Sequence, residues 1–420
     1  MKTWIVKEGK DKRVRGKHPW VFANELHAPE GVVPGSLIKL KDSHGEFLAF
    51  GYGNPNSNIS FRALSFSSDE ENFAESSWLL EKLKVAWKKR LNAGMKYSYR
   101  LCYSEADELP GLIIDYYTLL DGRNILSCQI LTAGMNSLFE KLKNIFSELV
   151  DLKTTAIILR NDSSVRKLEG LPVEKAFVLS CPEGLNLESA PVLLTNPLLG
   201  EPIVLKADFL HGQKTGLFLD QSFNIRVLLE LLERSLNTRP ATQFRILDLC
   251  SYVGQWSAQI TQFLKSKGRE VEVTLVDASE KSLRFAGENL NNIISCGQKK
   301  IIRGDVLRDL KPLISQNYDI VISDPPAFIK NKKEISQGKH GYLKLNTEAF
   351  RLVKKDGFVV SCSCSGLFSE EEFNDTLKKA AKRSNREMIT IARGGHPPDH
   401  PVIDNFPEGR YLKMAVHRSL

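Results

Sequence analysis

The chain has 420 residues, a length that predicts two or three domains. Of these residues 42% are hydrophobic and 26% are charged, which are the proportions of a soluble globular protein. No run of about 18 apolar residues is available to span a bilayer, and the first residues lack the apolar core of a signal peptide, so we expect a cytoplasmic protein without a membrane partner. The net charge of +8 is modest for this length, and the seven cysteines show no disulfide framework.

The N-terminal part carries a basic run, residues 7–17, that leads into a tryptophan. Cationic side chains beside an exposed aromatic ring can neutralise phosphates and stack on bases, so Arg15, Lys17 and Trp20 are candidate RNA-binding residues. A solvated basic turn, with Trp20 filling a small core, is the alternative. Short apolar runs between glycine and proline turns predict that residues 1–72 form a small β-rich domain.

The next part of the chain, residues 73–195, is predicted to be a separate α+β domain. Its pattern favours helices over 73–92 and 134–149, where apolar residues recur at helical spacing. Three strands are predicted at 111–117, 124–130 and 155–160.

Residues 196–420 alternate between strand and helix patterns, which predicts a doubly wound α/β domain. Ser369 and Glu372 form a capping box that predicts the start of a helix. Predicted strands lie at 244–249, 272–277, 300–305, 318–323, 358–360, 388–392 and 411–416.

Acidic residues at successive strand ends suggest a nucleoside cofactor. The turn after the strand 244–249 contains a single glycine, Gly254, and Asp277 follows it at about the offset at which an acidic side chain takes ribose hydroxyls. One glycine and no Walker lysine argue against a pyrophosphate ligand, so S-adenosylmethionine fits better. Asp248 is then expected to meet the methionyl cation and Asp305 the adenine amino group. The alternative role for each aspartate is a helix cap or a surface turn.

Two polar loops that follow apolar strands carry the predicted chemistry. The first is Asp324-Pro325-Pro326-Ala327-Phe328, in which two prolines fix the backbone so that Phe328 can support a planar base while Asp324 accepts from its exocyclic amine. Methyltransferases acting on base nitrogens share Asp-Pro-Pro. If the two strands are parallel neighbours, both loops open on one edge of the sheet.

The second loop contains Cys362 and Cys364. Carbon 5 of cytosine becomes nucleophilic enough to accept a methyl group when a thiolate adds at carbon 6, and Cys364 sits on a polar turn where a thiol can be exposed. The alternative is that both cysteines are small buried residues. We expect no metal site, because Cys-x-Cys lacks a second ligand pair at suitable spacing.

At these residues the sequence resembles the bacterial large-subunit ribosomal RNA cytosine-C5 methyltransferases that carry an N-terminal PUA domain. The resemblance implies a PUA domain (1–72), an α+β linker domain (73–195) and a class I S-adenosylmethionine-dependent methyltransferase domain (196–420). It also implies a ribosomal RNA partner and a homodimer. The segments that carry it are 15–22, 109–115, 212–221, 247–254, 324–328, 363–366, 399–402 and 407–409.

Carried over by position, the resemblance makes Cys364 the nucleophile and leaves Cys362 without an assigned role. It places S-adenosylmethionine against Gln221, Asp248, Ser251, Gly254, Asp277 and Asp305. The placement of the base against Asp324, Pro325, Pro326 and Phe328 is predicted from the chemistry of the loop itself. The sequence departs from the family pattern at Cys250, Gln255-Trp256 and Ser222. The Asp-Pro-Pro loop also lacks the second cysteine that releases many such enzymes from their product.

Two other functions remain open from the sequence alone. One is an RNA nitrogen methyltransferase that uses only the Asp-Pro-Pro-Ala-Phe loop. The other is an RNA-binding ribosome assembly factor whose methyltransferase fold has lost turnover, an idea favoured by the altered loop at 250–256. The position of the label in methylated RNA separates the first from carbon methylation, and failure to bind S-adenosylmethionine would favour the second.

Overall fold

The computed structural model describes residues 1–27, 31–236, 242–308, 310, 313 and 317–420. These residues form two compact units. The first unit comprises Met1–Val192, Asp208–Leu217 and Pro398–Pro407, and the second unit comprises Leu193–Ala207, Phe218–Pro397 and Glu408–Leu420. None of the helices in these ranges has the length and apolarity needed to cross a membrane.

The first sheet of the first unit has five strands in the order β1-β3-β4-β5-β2. Asp42 closes the hairpin between β3 and β4, because its Oδ1 accepts from the backbone N–H groups of His44 (2.9 Å) and Glu46 (2.8 Å). The elements are β1 (Lys2–Ile5), α1 (Lys12–Arg15), β2 (Trp20–Val21), β3 (Ser36–Lys41), β4 (Phe47–Gly53) and β5 (Phe61–Ser65).

The second sheet of this unit also has five strands, in the order β10-β9-β8-β7-β6. Phe50, Tyr52 and Leu64 of the first sheet belong to the same buried apolar cluster as side chains of this sheet and its helices, so the two sheets share a core. The elements are α2 (Ser76–Asn92), β6 (Tyr99–Tyr103), β7 (Leu112–Thr118), β8 (Asn124–Ile130), α3 (Ala133–Ser137), α4 (Phe139–Leu149), β9 (Thr155–Leu159) and β10 (Phe177–Ser180).

The second unit contains a seven-stranded sheet in the order β15-β14-β13-β16-β17-β19-β18, in which β19 is antiparallel to both of its neighbours and the other pairs are parallel. Its elements, with two short strands that precede them, are β11 (Ala190–Leu194), β12 (Ile203–Ala207), α5 (Ser222–Leu236), β13 (Gln243–Leu249), α6 (Gln255–Ser266), β14 (Glu270–Asp277), α7 (Glu280–Leu290), β15 (Lys299–Arg303), β16 (Tyr318–Ser323), α8 (Ile335–Leu352), β17 (Val353–Ser363), α9 (Glu370–Ser384), β18 (Met388–Gly394) and β19 (Lys413–Ser419).

The predicted α/β class is confirmed, and most predicted elements are present. The capping box at Ser369 opens α9 as expected, with Ser369 Oγ accepting from the Glu372 N–H at 3.1 Å. Several elements differ from the prediction in their bounds. The helix predicted over 134–149 is two helices, α3 and α4, with Leu138 between them. The last strand begins at Lys413 and not at residue 411, because the Tyr411 and Leu412 N–H groups donate to His396 Nε2.

Candidate active site

Four loops of the second unit leave the sheet at the same edge. Parallel pairing aligns Leu249 of β13 with Val276 of β14 and with Ser323 of β16, and Ser323 in turn with Ser361 of β17. The segments that follow these strand ends therefore lie side by side, which is where open α/β sheets bind their ligands. The expectation that the Asp324 and Cys364 loops follow parallel neighbouring strands is confirmed.

The loop between β13 and α6 is held in a strained conformation. Cys250 (φ 64°) and Tyr252 (φ 48°) adopt left-handed backbone angles, which cost about 1–3 kcal/mol each for such residues. The Tyr252 N–H donates to Asp277 Oδ2 at 2.9 Å. Gly254 (φ 78°) ends the loop, and a Cβ there would lie 3.2 Å from Ala286 Cβ. The backbone of the strained loop is thus held against the end of β14.

Several buried polar atoms of this loop region have no hydrogen-bond partner among the described residues. They include Asp248 Oδ1 and Ser251 Oγ, whereas Asp248 Oδ2 accepts from Ser257 Oγ at 2.6 Å. A buried polar atom without a partner costs free energy that a bound ligand can recover. Both atoms lie where the sequence predicts a cofactor, so the residues present fit a nucleoside ligand with polar groups.

Burial raises the pKa of Asp248 to about 7, the Ser257 hydrogen bond opposes this, and the negative charges of Asp324 and Asp277 raise it further. The two neighbouring negative charges disfavour ionisation of Asp248. A cation bound among them would reverse that penalty, which suits a sulfonium or ammonium group.

Asp277 and Asp305 lie at the ends of neighbouring strands. Asp277 accepts from the Tyr252 N–H and, through Oδ1, from the Ser279 N–H at 2.8 Å. Asp305 Oδ1 accepts from the Leu307 N–H at 2.8 Å, and its side chain is exposed. Both aspartates therefore organise turns, and each carboxylate oxygen has a further lone pair for a ligand.

Asp324 is oriented by two side chains from elements distant in sequence. Its Oδ2 accepts from Gln221 Nε2 at 2.9 Å and from Trp256 Nε1 at 3.0 Å. Asn224 Nδ2 donates to Gln221 Oε1 at 2.6 Å and fixes the amide orientation. Gln221 was predicted as a cofactor ligand, while Trp256 was noted only as a departure from a family pattern. Its indole N–H, aimed at a buried site, is the signal that sequence reasoning missed.

The Asp-Pro-Pro loop packs on α8. Pro325 is buried, Pro326 is exposed, and the half-buried Phe328 ring lies 4.8 Å from the Tyr342 ring. The approach requires a glycine, since a Cβ at Gly338 would lie 2.6 Å from the Phe328 carbonyl oxygen. The Phe328 ring, at the end of the Asp-Pro-Pro loop, therefore packs against α8.

The cysteine loop is tied to the Asp-Pro-Pro loop. Cys364 is half-buried, and its Sγ lies 3.9 Å from the Pro325 carbonyl oxygen. Ser365 Oγ accepts from the Ile329 N–H at 3.1 Å and lies 2.9 Å from the Tyr342 hydroxyl. Ser365 was missed as a connecting residue.

Cys362 differs from its neighbour two positions later. It is wholly buried, and burial raises the pKa of its thiol well above the ordinary value. A nucleophilic thiol must be reachable and must ionise, so Cys362 has the properties of a structural residue.

The predicted RNA-binding residues lie in the first unit. Arg15 forms ion pairs with Asp11 and Asp42, and Lys17 is exposed with φ 61°. The half-buried Trp20 donates from Nε1 to Glu105 Oε1 at 2.7 Å.

Further contacts hold Trp20 in a packed cluster. Its ring lies 5.0 Å from the Arg62 guanidinium and 4.6 Å from the Phe406 ring. Asn405 also donates to the Gly16 carbonyl at 2.8 Å, so the segment around 399–407 packs on the basic turn.

Over the described residues, no group of three or more His, Cys, Asp or Glu side chains is arranged to hold a metal ion.

Fold and site together define a Rossmann-like methyltransferase preceded by a PUA-like domain. Residues 5–66 match the PUA-like domain family and residues 242–403 match a methyltransferase domain family. The solved structures that share the fold include one described as a SAM-dependent methyltransferase from Streptococcus mutans (TM-score 0.76, 16% identity) and SMU.776, described as a methyltransferase complexed with SAH (TM-score 0.75, 17% identity), each covering 100% of both chains.

Curated relatives extend along almost the whole chain. "Ribosomal RNA large subunit methyltransferase I" of Yersinia pseudotuberculosis serotype O:1b (strain IP 31758) is 31% identical over 421 residues, and the protein of the same name from Erwinia tasmaniensis is 31% identical over 420 residues. Each alignment covers 97% of this chain and 97% of the relative. The chain belongs to the ribosomal RNA large subunit methyltransferase I family.

Proposed function

We propose that this protein methylates carbon 5 of a cytosine in large-subunit ribosomal RNA and that Cys364 forms a transient covalent bond to carbon 6 of that base. The observation that carries the proposal is the proximity of Cys364 Sγ to the Asp-Pro-Pro loop, at 3.9 Å from the Pro325 carbonyl oxygen. The names of the curated relatives support the RNA substrate.

S-adenosylmethionine is the methyl donor of this domain, and it supplies an electrophilic methyl group. The proposed cofactor residues are Gln221, Asp248, Ser251, Gly254, Asp277 and Asp305. The unpaired Asp248 Oδ1 and Ser251 Oγ support this assignment, because a bound ligand would satisfy them. The carboxylates favour a cationic ligand over a neutral one.

Cys364 as a thiolate adds to carbon 6 of cytosine, and the electron pair of the 5,6 double bond becomes available at carbon 5 for the methyl group. Loss of the carbon-5 proton to a base then lets Cys364 leave as a thiolate, which restores the double bond. Asp324, held by Gln221 and Trp256, accepts a hydrogen bond from the exocyclic amine. Pro325, Pro326 and Phe328 border the base.

The PUA-like domain, residues 1–72 in this proposal, contributes RNA affinity through Arg15, Lys17 and Trp20. Lys17 is an exposed cation that can neutralise a phosphate, and the exposed Arg15 can do so by exchanging its ion pairs with Asp11 and Asp42. The linker domain (73–195) and the methyltransferase domain (196–420) complete the chain, and we propose that it acts in the cytoplasm as a homodimer.

Methyl transfer to unmodified large-subunit RNA, followed by nucleoside analysis, tests the proposal. Transcribed RNA is incubated with methyl-labelled S-adenosylmethionine, and the label is expected in 5-methylcytidine. Cys364→Ala is expected to abolish transfer while the cofactor still binds, and Cys362→Ala serves as the matched control that keeps activity.

Two results would replace the proposal with another function. Label on a base nitrogen, unaffected by Cys364→Ala, would assign nitrogen methylation through the Asp-Pro-Pro-Ala-Phe loop. Specific RNA binding with no cofactor binding would assign a non-catalytic assembly role.

A further inference from the structure

A buried lysine of β19 lies beside the loop that carries Cys364. Antiparallel pairing places Lys413 opposite Ser363, one residue before the cysteine. Lys413 is 7% exposed, an unusual position for an ammonium group. The proposed methyl transfer does not use this residue.

Hydrogen bonds fix the Lys413 side chain against the cysteine loop. Its Nζ donates to the carbonyl oxygens of Ser365 at 2.9 Å and Tyr411 at 2.8 Å. Ser365 directly follows Cys364 and binds the Ile329 N–H through its hydroxyl. Lys413 therefore anchors the turn on which the thiol is carried.

The acceptors of the buried ammonium are neutral carbonyls, so its charge is poorly compensated. Burial lowers the pKa of Lys413 to about 8, and negative charge on Cys364, Glu370 and Glu372 acts in the opposite direction. The interaction is reciprocal. A Cys364 thiolate favours the charged form of Lys413, and the charged Lys413 favours the thiolate by the same amount.

Three other titratable groups close to the cysteine carry no positive charge. Burial raises the pKa of Tyr342 to about 12, so its hydroxyl stays protonated. Asp324 and Cys362 are acidic groups, and each disfavours a second negative charge nearby. Lys413 is thus the cation whose position suits the thiolate.

We propose that Lys413 positions the Cys364 loop and that its ammonium charge favours the thiolate form of Cys364. This inference rests on the proposed function in one respect, the use of Cys364 as the nucleophile. The thiol proton is lost to water, the ammonium keeps its own protons, and Lys413 touches neither substrate nor cofactor. It is a positioning residue that acts through the cysteine.

Alkylation of Cys364 measures thiolate formation without RNA or methyl donor. The full-length protein is treated with iodoacetamide from about pH 6 to about pH 10, and carboxamidomethylation of the Cys364 peptide is quantified by mass spectrometry against the exposed Cys296 as an internal reference. Lys413→Met removes the charge and keeps the aliphatic stem. Lys413→Arg keeps a charge, and Lys379→Met removes an exposed lysine of α9.

At about pH 7, below the Lys413 pKa of about 8, Lys413→Met is expected to slow alkylation of Cys364 severalfold, since an opposite charge nearby lowers a thiol pKa by about one unit. Above about pH 9 Lys413 has lost its proton, so the variant and the wild type are expected to react at the same rate. Lys413→Arg should not be slower than the wild type at about pH 7, and Lys379→Met should match it. An unchanged rate in Lys413→Met at about pH 7 overturns the inference. If that variant does not fold, a slower rate in Lys413→Arg at that pH overturns it.

The two proposals fail in different ways. If Cys364 alkylation depends on Lys413 but no 5-methylcytidine forms, the electrostatic inference stands and the assigned reaction is wrong. If 5-methylcytidine forms in a Cys364-dependent reaction but alkylation ignores Lys413, the reaction stands and the role of Lys413 is wrong.

Discussion

Asp248→Asn tests whether the cofactor residues carry a stability cost. The pKa of this wholly buried carboxyl is raised from 3.8 to about 7, so the folded protein binds more protons than the unfolded chain between those values. Stability therefore falls as pH rises through that window, and the full cost above about pH 7 corresponds to about 4 kcal/mol. An asparagine can still accept from Ser257 and has no charge to bury.

Asp248→Asn is expected to stabilise the ligand-free second unit, and the gain should grow by about 3 kcal/mol between about pH 5 and about pH 8. Urea unfolding followed by hydrogen exchange in peptides of β13 and β14 reports the opening free energy of this unit. Cofactor affinity should fall about tenfold or more at the higher pH, because a charged acceptor is lost. Asp356→Asn, which removes an exposed ion pair with Arg418, is the control.

A gain in stability that is the same at both pH values would refute the argument, because it would show that ionisation of Asp248 does not burden the fold. A variant that gains stability and keeps full cofactor affinity would refute the assignment of Asp248 to the cofactor.

Two other substitutions probe how the Asp-Pro-Pro loop is held. Trp256→Phe removes the N–H that donates to Asp324, and kcat/KM for RNA is expected to fall about tenfold. The control is Trp87→Phe, which loses a similar hydrogen bond to the Tyr99 hydroxyl. An unchanged kcat/KM would show that Gln221 alone orients the carboxylate. Gly338→Ala would place a Cβ 2.6 Å from the Phe328 carbonyl oxygen, so methyl transfer should slow about tenfold while cofactor affinity is kept. The control is Gly297→Ala, which has open space around it and should have no effect. Equal rates in the two glycine variants would contradict the close packing of the loop.

The sequence was sufficient to predict the strands and the edge of the sheet that carries the site. Buried parallel strands have continuous apolar runs, and the polar residues that interrupt them, such as Asp248, Asp324 and Cys364, mark where the strands end. Since parallel strands end at a common edge, the proximity of these loops followed from the fold class. The capping box at Ser369 was predictable for a similar reason, because its signal is local.

Contacts between residues distant in sequence could not be predicted in this way. The bond from Trp256 to Asp324 spans 68 positions and the bond from Lys413 to Ser365 spans 48. Local patterns give the type of each element but not which side chain meets which across the sheet. Trp20 shows the same limit, since its partner Phe406 lies near the other end of the chain.

The beginning of the last strand shows a tertiary contact overriding a local pattern. Residues 411–416 have the composition of a strand, but the backbone N–H groups of Tyr411 and Leu412 bind His396 instead of a neighbouring strand. Nothing within the segment indicates that a distant histidine would take these donors.

Covalent trapping tests the central claim most directly. Large-subunit RNA transcribed with 5-fluorocytidine cannot lose a proton from carbon 5 after methyl transfer, so a Cys364 adduct at carbon 6 should persist. We predict a denaturation-resistant protein–RNA complex that requires S-adenosylmethionine, contains the Cys364 peptide and forms with Cys362→Ala but not with Cys364→Ala. Methylation of ordinary RNA without any such complex, or a complex that persists in Cys364→Ala, would contradict the proposed mechanism.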